Sequence, residues 1–289
     1  MNRARGAYLS LAIGDALGAT VEFLTASEII RAHGVHRHLT GGGWLRLKPG
    51  QVTDDTQMAL ALGAAIIEAR GFDLATVAEH FLAWLKSRPI DVGNTCRRGI
   101  QRYRQHGTLF SSYSDGDAGN GACMRNLPLA LYALEDDALF ERCTLAQCHF
   151  THNHPLSDSA TLALGRMTRL LLRGGSRQAA RAVADELVAA DRRFRFEPYP
   201  GRTTGYIVDT VQTVLHAFFS TDSLEDCLVK AVNLGGDADT SGAIAGMLAG
   251  ACYGAEAIPA RWLRRLDREV RQTVCEQAES LLALGRGYD

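Results

Sequence analysis

Apolar positions follow a helical period along most of the chain. They recur at three- and four-residue spacing over 56–70, 73–86, 158–173, 176–190, 223–234, 240–253 and 259–284, which predicts an amphipathic helix over each stretch. The starts carry the expected punctuation. Asp73, Ser176 and Ser223 stand as N-caps, Ser223 with the acid three residues on that suits a capping pattern. Pro259 suits a first helical turn, and Gly71 and Gly174-Gly175 stop the helices before them. The stretch 208–219 is rich in β-branched residues, yet its apolar positions 208, 211, 214, 215, 218 and 219 keep a helix period. Arg3 and Arg5 ahead of the apolar run 7–13 imitate an export signal, but Asp15 and Glu22 interrupt it, and a helix of the mature protein is expected. Strands and helices do not alternate, which excludes a Rossmann-like sheet. The expected fold is all-α, a single multi-helix domain over residues 1–289.

Composition narrows the function classes. Of the 289 residues, 46% are hydrophobic and 22% charged, enough apolar surface to offset the ordering entropy that keeps a chain disordered. A formal net charge of -1 gives no general attraction to nucleic acid or an anionic membrane. Charges break every apolar run before the ~18 residues a membrane-spanning helix needs. The seven cysteines form no CxxC pair and no finger-like spacing, so free thiols in a reducing cytoplasm are expected.

The candidate chemistry lies in loops and helix ends at 41–56, 91–99, 115–126, 149–158, 195–206 and 235–240. Thr53-Asp54-Asp55-Thr56 precedes one predicted helix, and Asp237-Ala238-Asp239-Thr240 precedes another. One acid per helix start is ordinary capping. Two clusters with two carboxylates each repel unless cations neutralise them, and oxygen donors without Cys or His suit Mg²⁺ or Mn²⁺. Four carboxylates match two divalent ions, provided the clusters meet in space. The glycines at 242, 246, 250 and 254 recur every four residues and form a stripe that lets another helix approach closely. Such an approach would bring the clusters together.

Other segments are less distinct. Asp91, after Pro89, reads as a turn residue, and Glu22 as an exposed residue after a helix. The run 116–121 is a flexible turn, or a loop that offers backbone N–H groups to a pyrophosphate. His152 and His154 flank Asn153 without a third ligand nearby, so a structural or substrate-contacting role is expected, for His152 ahead of His154. Tyr206 covers the core or stacks on adenine.

Three motifs taken together resemble the ADP-ribosylglycohydrolase family: Gly14-Asp15-Ala16-Leu17-Gly18 followed by Glu22, Thr53-Asp54-Asp55-Thr56-Gln57-Met58, and Gly235-Gly236-Asp237-Ala238-Asp239-Thr240-Ser241-Gly242. The segments 90–99, 119–125 and 150–155 are similar to those of its bacterial branch that frees an arginine of the nitrogenase iron protein (dinitrogenase reductase) from ADP-ribose. The resemblance implies an all-α hydrolase with two Mn²⁺ or Mg²⁺ ions. It makes Thr53, Asp54, Asp55, Asp237, Asp239 and Thr240 the metal ligands, and Asp91 the acid/base with Glu22 as the second candidate. Asn94, Gly119, Asn120, Gly121, His152 and Tyr206 would contact the substrate. Further expectations are a cytoplasmic monomer, regulation by a PII nitrogen-signalling protein, and at most peripheral contact with the inner membrane. Two rivals stand beside this reading: hydrolysis of another ADP-ribose linkage, and a non-catalytic relative, which loss of the metal acids would mark.

Overall fold

The computed structural model describes residues 1–287; Tyr288 and Asp289, the end of the expected domain, lie outside the described residues. The helical period is realised almost throughout. Helix α1 (Asn2–Gly18) is buried along nearly its whole length. The amphipathic α2 (Ala26–His33) starts at a reciprocal cap between Thr25 and Glu28. Next come α3 (Asp54–Glu68), α4 (Leu74–Lys86) and α5 (Asn94–His106). Two short pieces, α6 (Gly121–Met124) and α7 (Leu127–Tyr132), lead into the long α8 (Asp137–Thr151) and α9 (Pro155–Leu172). The chain continues through α10 (Arg177–Ala190), α11 (Ile207–Phe219), α12 (Leu224–Asn233) and α13 (Ala238–Tyr253), and ends on α14 (Ala260–Arg265) and α15 (Arg268–Gly285). Among the described residues there is no strand beyond isolated bridges, and no helix is long and apolar enough to cross a membrane.

The caps at Asp73, Ser176 and Ser223 form as expected, each side chain accepting the N–H three residues on. Three expectations at helix ends are corrected. The helix foreseen over 259–284 is broken in two, because Asp267 caps a new start by accepting the N–H groups of Glu269 and Val270. Pro259 is itself the N-cap of α14, one position before the first turn. After α3 the chain is stopped one residue before Gly71, by Arg70 in the left-handed conformation at φ 52°.

The glycine stripe is used by α1, which packs antiparallel on α13 in the most extensive helix pairing of the fold. A Cβ on Gly246 would lie 2.0 Å from the Ser10 carbonyl oxygen, and one on Gly14 2.0 Å from that of Gly242. At Gly250 the obstacle is the Gly6 carbonyl oxygen at 2.1 Å. The backbones therefore touch directly, and side chains at these positions would hold them apart. Gly254 closes the seam, its backbone lying 2.6 Å from where a Cβ on Gly6 would stand, and it turns the chain after α13 at φ 82°. The pairing sets the C-terminal end of α1, with Asp15, beside the start of α13.

Candidate active site

Asp15 is the residue through which the first acid cluster is held. Its carboxylate is buried and accepts the backbone N–H of Thr53 at 3.0 Å and of Thr56 at 3.1 Å. The hydroxyls of both threonines also donate to it, Thr53 Oγ1 at 2.8 Å. Burial is the larger influence and pushes its pKa up to about 6 against these bonds. Thr53, the N-cap of α3, makes no side-chain capping bond, and neither does Asp237, the N-cap of α13. The capping reading of these two positions thus gives way. Their oxygens serve something other than helix ends.

The two clusters meet. Thr240 Oγ1 donates to Asp55 Oδ2 at 3.3 Å across 185 residues of sequence. One carboxylate oxygen each from Glu22, Asp237 and Asp239 lie within 4.8 Å of one another, a group able to hold a cation. The approach foreseen from the glycine stripe is indirect: α13 receives α1, and Asp15 on α1 carries the start of α3 with it.

Crowding of these acids shows in their protonation. Burial first, then the neighbouring carboxylates, pushes Glu22 up to about 8 and Asp54 up to about 7. Asp55 and Asp239 are pushed well above the usual carboxylate range by the same causes. Asp55 Oδ1 is buried without a hydrogen-bond partner among the described residues. Buried carboxylates that repel, one with an orphaned oxygen, fit divalent cations of the hard, oxygen-seeking kind.

Above the acids opens a cleft of about 720 Å³, within the range of small-molecule sites. Asp91 and Asn94 line it where the 87–93 loop enters α5. Asp91 Oδ1 accepts the Val92 N–H at 2.7 Å, and the Gly93 N–H donates to Asp54 Oδ2 at 3.1 Å, tying this loop to the acids. Burial raises the Asp91 pKa, with Asp237 adding to it and the Val92 N–H opposing. Gly119, Asn120 and Gly121 form another part of the wall. Asn120 donates to Asp237 Oδ2 at 2.6 Å, and its N–H to the Gly205 carbonyl at 3.1 Å. The helix after this loop, α6, has only four residues, so its dipole contributes little beyond the loop's own N–H groups. His152, 2% exposed, also lines the cleft, whereas His154 caps α9 through Nδ1 and stacks on Tyr113. Tyr206 stands beside the wall and outside the cleft lining; its backbone bridges to Gly119.

Four residues of the site were not singled out in the sequence. Asp15 lies in a motif quoted for the resemblance, yet as a lone acid in a helix it carries no signal of its own. Phe23 and Trp44 line the cleft and pack at 5.4 Å between ring centroids, although 64% and 53% exposed. Trp44 Nε1 donates to Glu22 Oε2 at 2.6 Å. Exposed aromatic residues in loops have no periodicity to reveal them. Arg125 is buried behind His152.

The profile of the ADP-ribosylglycohydrolase family matches residues 1–289. The ADP-ribosyl-[dinitrogen reductase] glycohydrolase of Rhodospirillum rubrum is 58% identical, over 98% of this chain and 96% of its own length. The ADP-ribosylarginine hydrolase Tri1 of Serratia proteamaculans is 33% identical, over 100% of this chain and 81% of its own. A solved structure described as an ADP-ribosylglycohydrolase-related protein complex superposes with a TM-score of 0.85 at 36% identity, covering 100% of this chain and 98% of that one. An all-helical chain whose paired acid clusters floor one cleft, and whose full length aligns with these proteins, belongs to the ADP-ribosylglycohydrolase family.

Proposed function

We propose that the protein hydrolyses the N-glycosidic bond between ADP-ribose and an arginine side chain, with dinitrogenase reductase as its protein substrate. The observation that carries the reading is the joining of two acid clusters on the floor of a ligand-sized cleft. The full-length similarity to a dinitrogen reductase glycohydrolase narrows the linkage and the target. Every acid of both clusters is present, which argues against a non-catalytic relative.

Thr53, Asp54, Asp55, Asp237, Asp239 and Thr240 would hold two divalent ions, Mn²⁺ or Mg²⁺, with Glu22 beside them. Bound there, the ions would orient and polarise oxygens of the ribose. The chain's own groups do the rest. Asn94, Asn120, His152 and the N–H groups of Gly119 and Gly121 bind the ADP-ribosyl group along the wall, and Tyr206 flanks it. Trp44 holds the Glu22 carboxyl in place. Asp91 moves the proton, since a guanidine departs more readily neutral than as its anion. Burial, the first cause of the raised Asp91 pKa, makes this carboxyl hold a proton more readily than an exposed aspartate does.

The test is to incubate the protein with arginine-, serine- and nucleotide-linked ADP-ribose, with and without a chelator. Release from the arginine conjugate alone, abolished by chelation and restored by Mn²⁺ or Mg²⁺, is expected. Release only from a serine or nucleotide conjugate would overturn the linkage, and full activity in exhaustively chelated protein would overturn the dinuclear centre. The proposal extends to a cytoplasmic monomer regulated by a PII protein, with any membrane contact peripheral. Failure to co-purify a PII protein under nitrogen-rich conditions counts against that part.

A further inference from the structure

Arg125 is fully buried, yet its guanidinium meets no carboxylate among the described residues. Nε donates to Gln147 Oε1 at 2.8 Å. One terminal nitrogen reaches the Gln147 carbonyl at 2.9 Å and Thr151 Oγ1 at 2.7 Å. The other lies 3.5 Å from Cys96 Sγ, and the guanidinium packs over the Phe81 ring at 4.8 Å. Burying a cation among neutral groups is costly, which asks for a role that a neutral side chain would not fill.

The role follows from donor and acceptor logic. A guanidinium has donors only, so Thr151 Oγ1 accepts from it and keeps its own hydrogen for another contact. That hydroxyl stands 2.7 Å from His152 Nδ1, and no other acceptor for its hydrogen is found among the described residues. The hydrogen therefore goes to Nδ1, which must be bare. A neutral ring then carries its proton on Nε2. Burial, followed by the positive charges of Arg125 and Arg98, holds the His152 pKa well below the usual histidine value, so the ring is neutral. Nε2 itself makes no hydrogen bond among the described residues. Its edge lies under the loop that lines the cleft: a Cβ on Gly119 would stand 3.1 Å from Nε2, and one on Gly121 2.9 Å from Cε1.

We infer that Arg125 and Thr151 are positioning residues that fix His152 as its Nε2–H tautomer and so present a hydrogen-bond donor to an oxygen of the ADP-ribosyl group. The other tautomer would turn a lone pair toward that oxygen and repel it. The inference rests on the proposed reading that the cleft takes ADP-ribose, and it adds how the wall is polarised to do so.

The test uses Mg²⁺-loaded protein with ¹⁵N-labelled histidine, the His152 signals being assigned by their loss in His152→Gln. The Nε2–H signature is expected in the wild type. Thr151→Val removes the hydroxyl at nearly constant shape; it should give a mixture of tautomers and weaken ADP-ribose binding about five- to tenfold. Thr151→Ser should restore both. An Nδ1–H ring in the wild type overturns the inference, as does Thr151→Val with unchanged tautomer and affinity. Should Thr151→Val not fold, the wild-type tautomer and the Thr151→Ser protein still decide the matter. Protein that binds ADP-ribose but leaves arginine conjugates intact refutes the proposed activity without touching this relay.

Discussion

Replacing Gly246 by alanine tests whether the α1–α13 seam carries the site. The added Cβ would lie 2.0 Å from the Ser10 carbonyl oxygen, more than 1 Å short of ordinary contact. The obstacle is backbone, so no rotamer change relieves it. The seam meets at several levels, from Gly6 against Gly250 to Gly18 against Ala238, so local tilting would only transfer the clash along it. Overpacking a well-filled core by one methyl group costs about 1–3 kcal/mol, and a backbone obstacle puts this case at the upper end. Alanine recovers about 1 kcal/mol of helix propensity over glycine. A net loss of about 2 kcal/mol or more should remain, a fall in Tm of roughly 4–8 °C for a protein near this size. Displacing α1 also moves Asp15 from Thr53 and Thr56, so Mn²⁺ affinity should fall together with stability. Denaturant melts and metal titration of Gly246→Ala read both. Gly71→Ala serves as the control, because a Cβ there meets only the Tyr132 hydroxyl at 3.5 Å. Native stability in Gly246→Ala would refute the claim that the backbones are in contact.

Three further outcomes are expected. Asp91→Asn should stay folded and metal-loaded and still bind substrate, with single-turnover release of ADP-ribose at least ~10²-fold slower; loss of metal instead would make Asp91 part of the metal support, and normal turnover would pass the acid/base role to Glu22. Asp15→Asn sets an amide N–H against the N–H groups of Thr53 or Thr56, and should weaken Mn²⁺ binding about 10–100-fold by calorimetric titration; unchanged affinity would show that Asp15 is not what holds the first cluster. His36, buried and donating from Nε2 to the Leu17 carbonyl, has its pKa pushed down to about 4, by burial first. Its unfolded form takes a proton below about 6.5 while the folded form resists, so its contribution is complete above that pH and is lost as pH falls toward 4, on the order of 3 kcal/mol in all. The stability of wild type relative to His36→Gln should decline across that window, and a constant difference would count against it.

Periodicity made much of the helical frame legible, but it gave no helix over α2 or α8. It missed α5, because Arg97, Arg98, Arg102 and Arg104 crowd a helix whose buried face is only Cys96, Gly99 and Ile100. It ran α14 and α15 together because the apolar pattern continues past the break, and only Asp267 marks the new start. The acid clusters were legible for a different reason: four carboxylates at helix starts exceed what capping requires. Their supports were not. Asp15, Trp44 and Arg125 act through contacts 20 or more residues away in sequence, with Thr53, Glu22 and Thr151 respectively, and a lone polar residue gives no hint of such a distant partner.

The pairing of α1 with α13 has a consequence for when activity appears. The two helices are far apart in the chain, and the acids they position are joined by a contact spanning 185 residues. Closing so long a loop is entropically slow compared with forming helices locally. During synthesis α1 emerges first and must wait, its small-residue face unmatched, until residue 253 has left the ribosome. Catalytic competence should be the last property gained on refolding, after far-UV helicity has recovered, and the first one lost to any truncation that reaches α13.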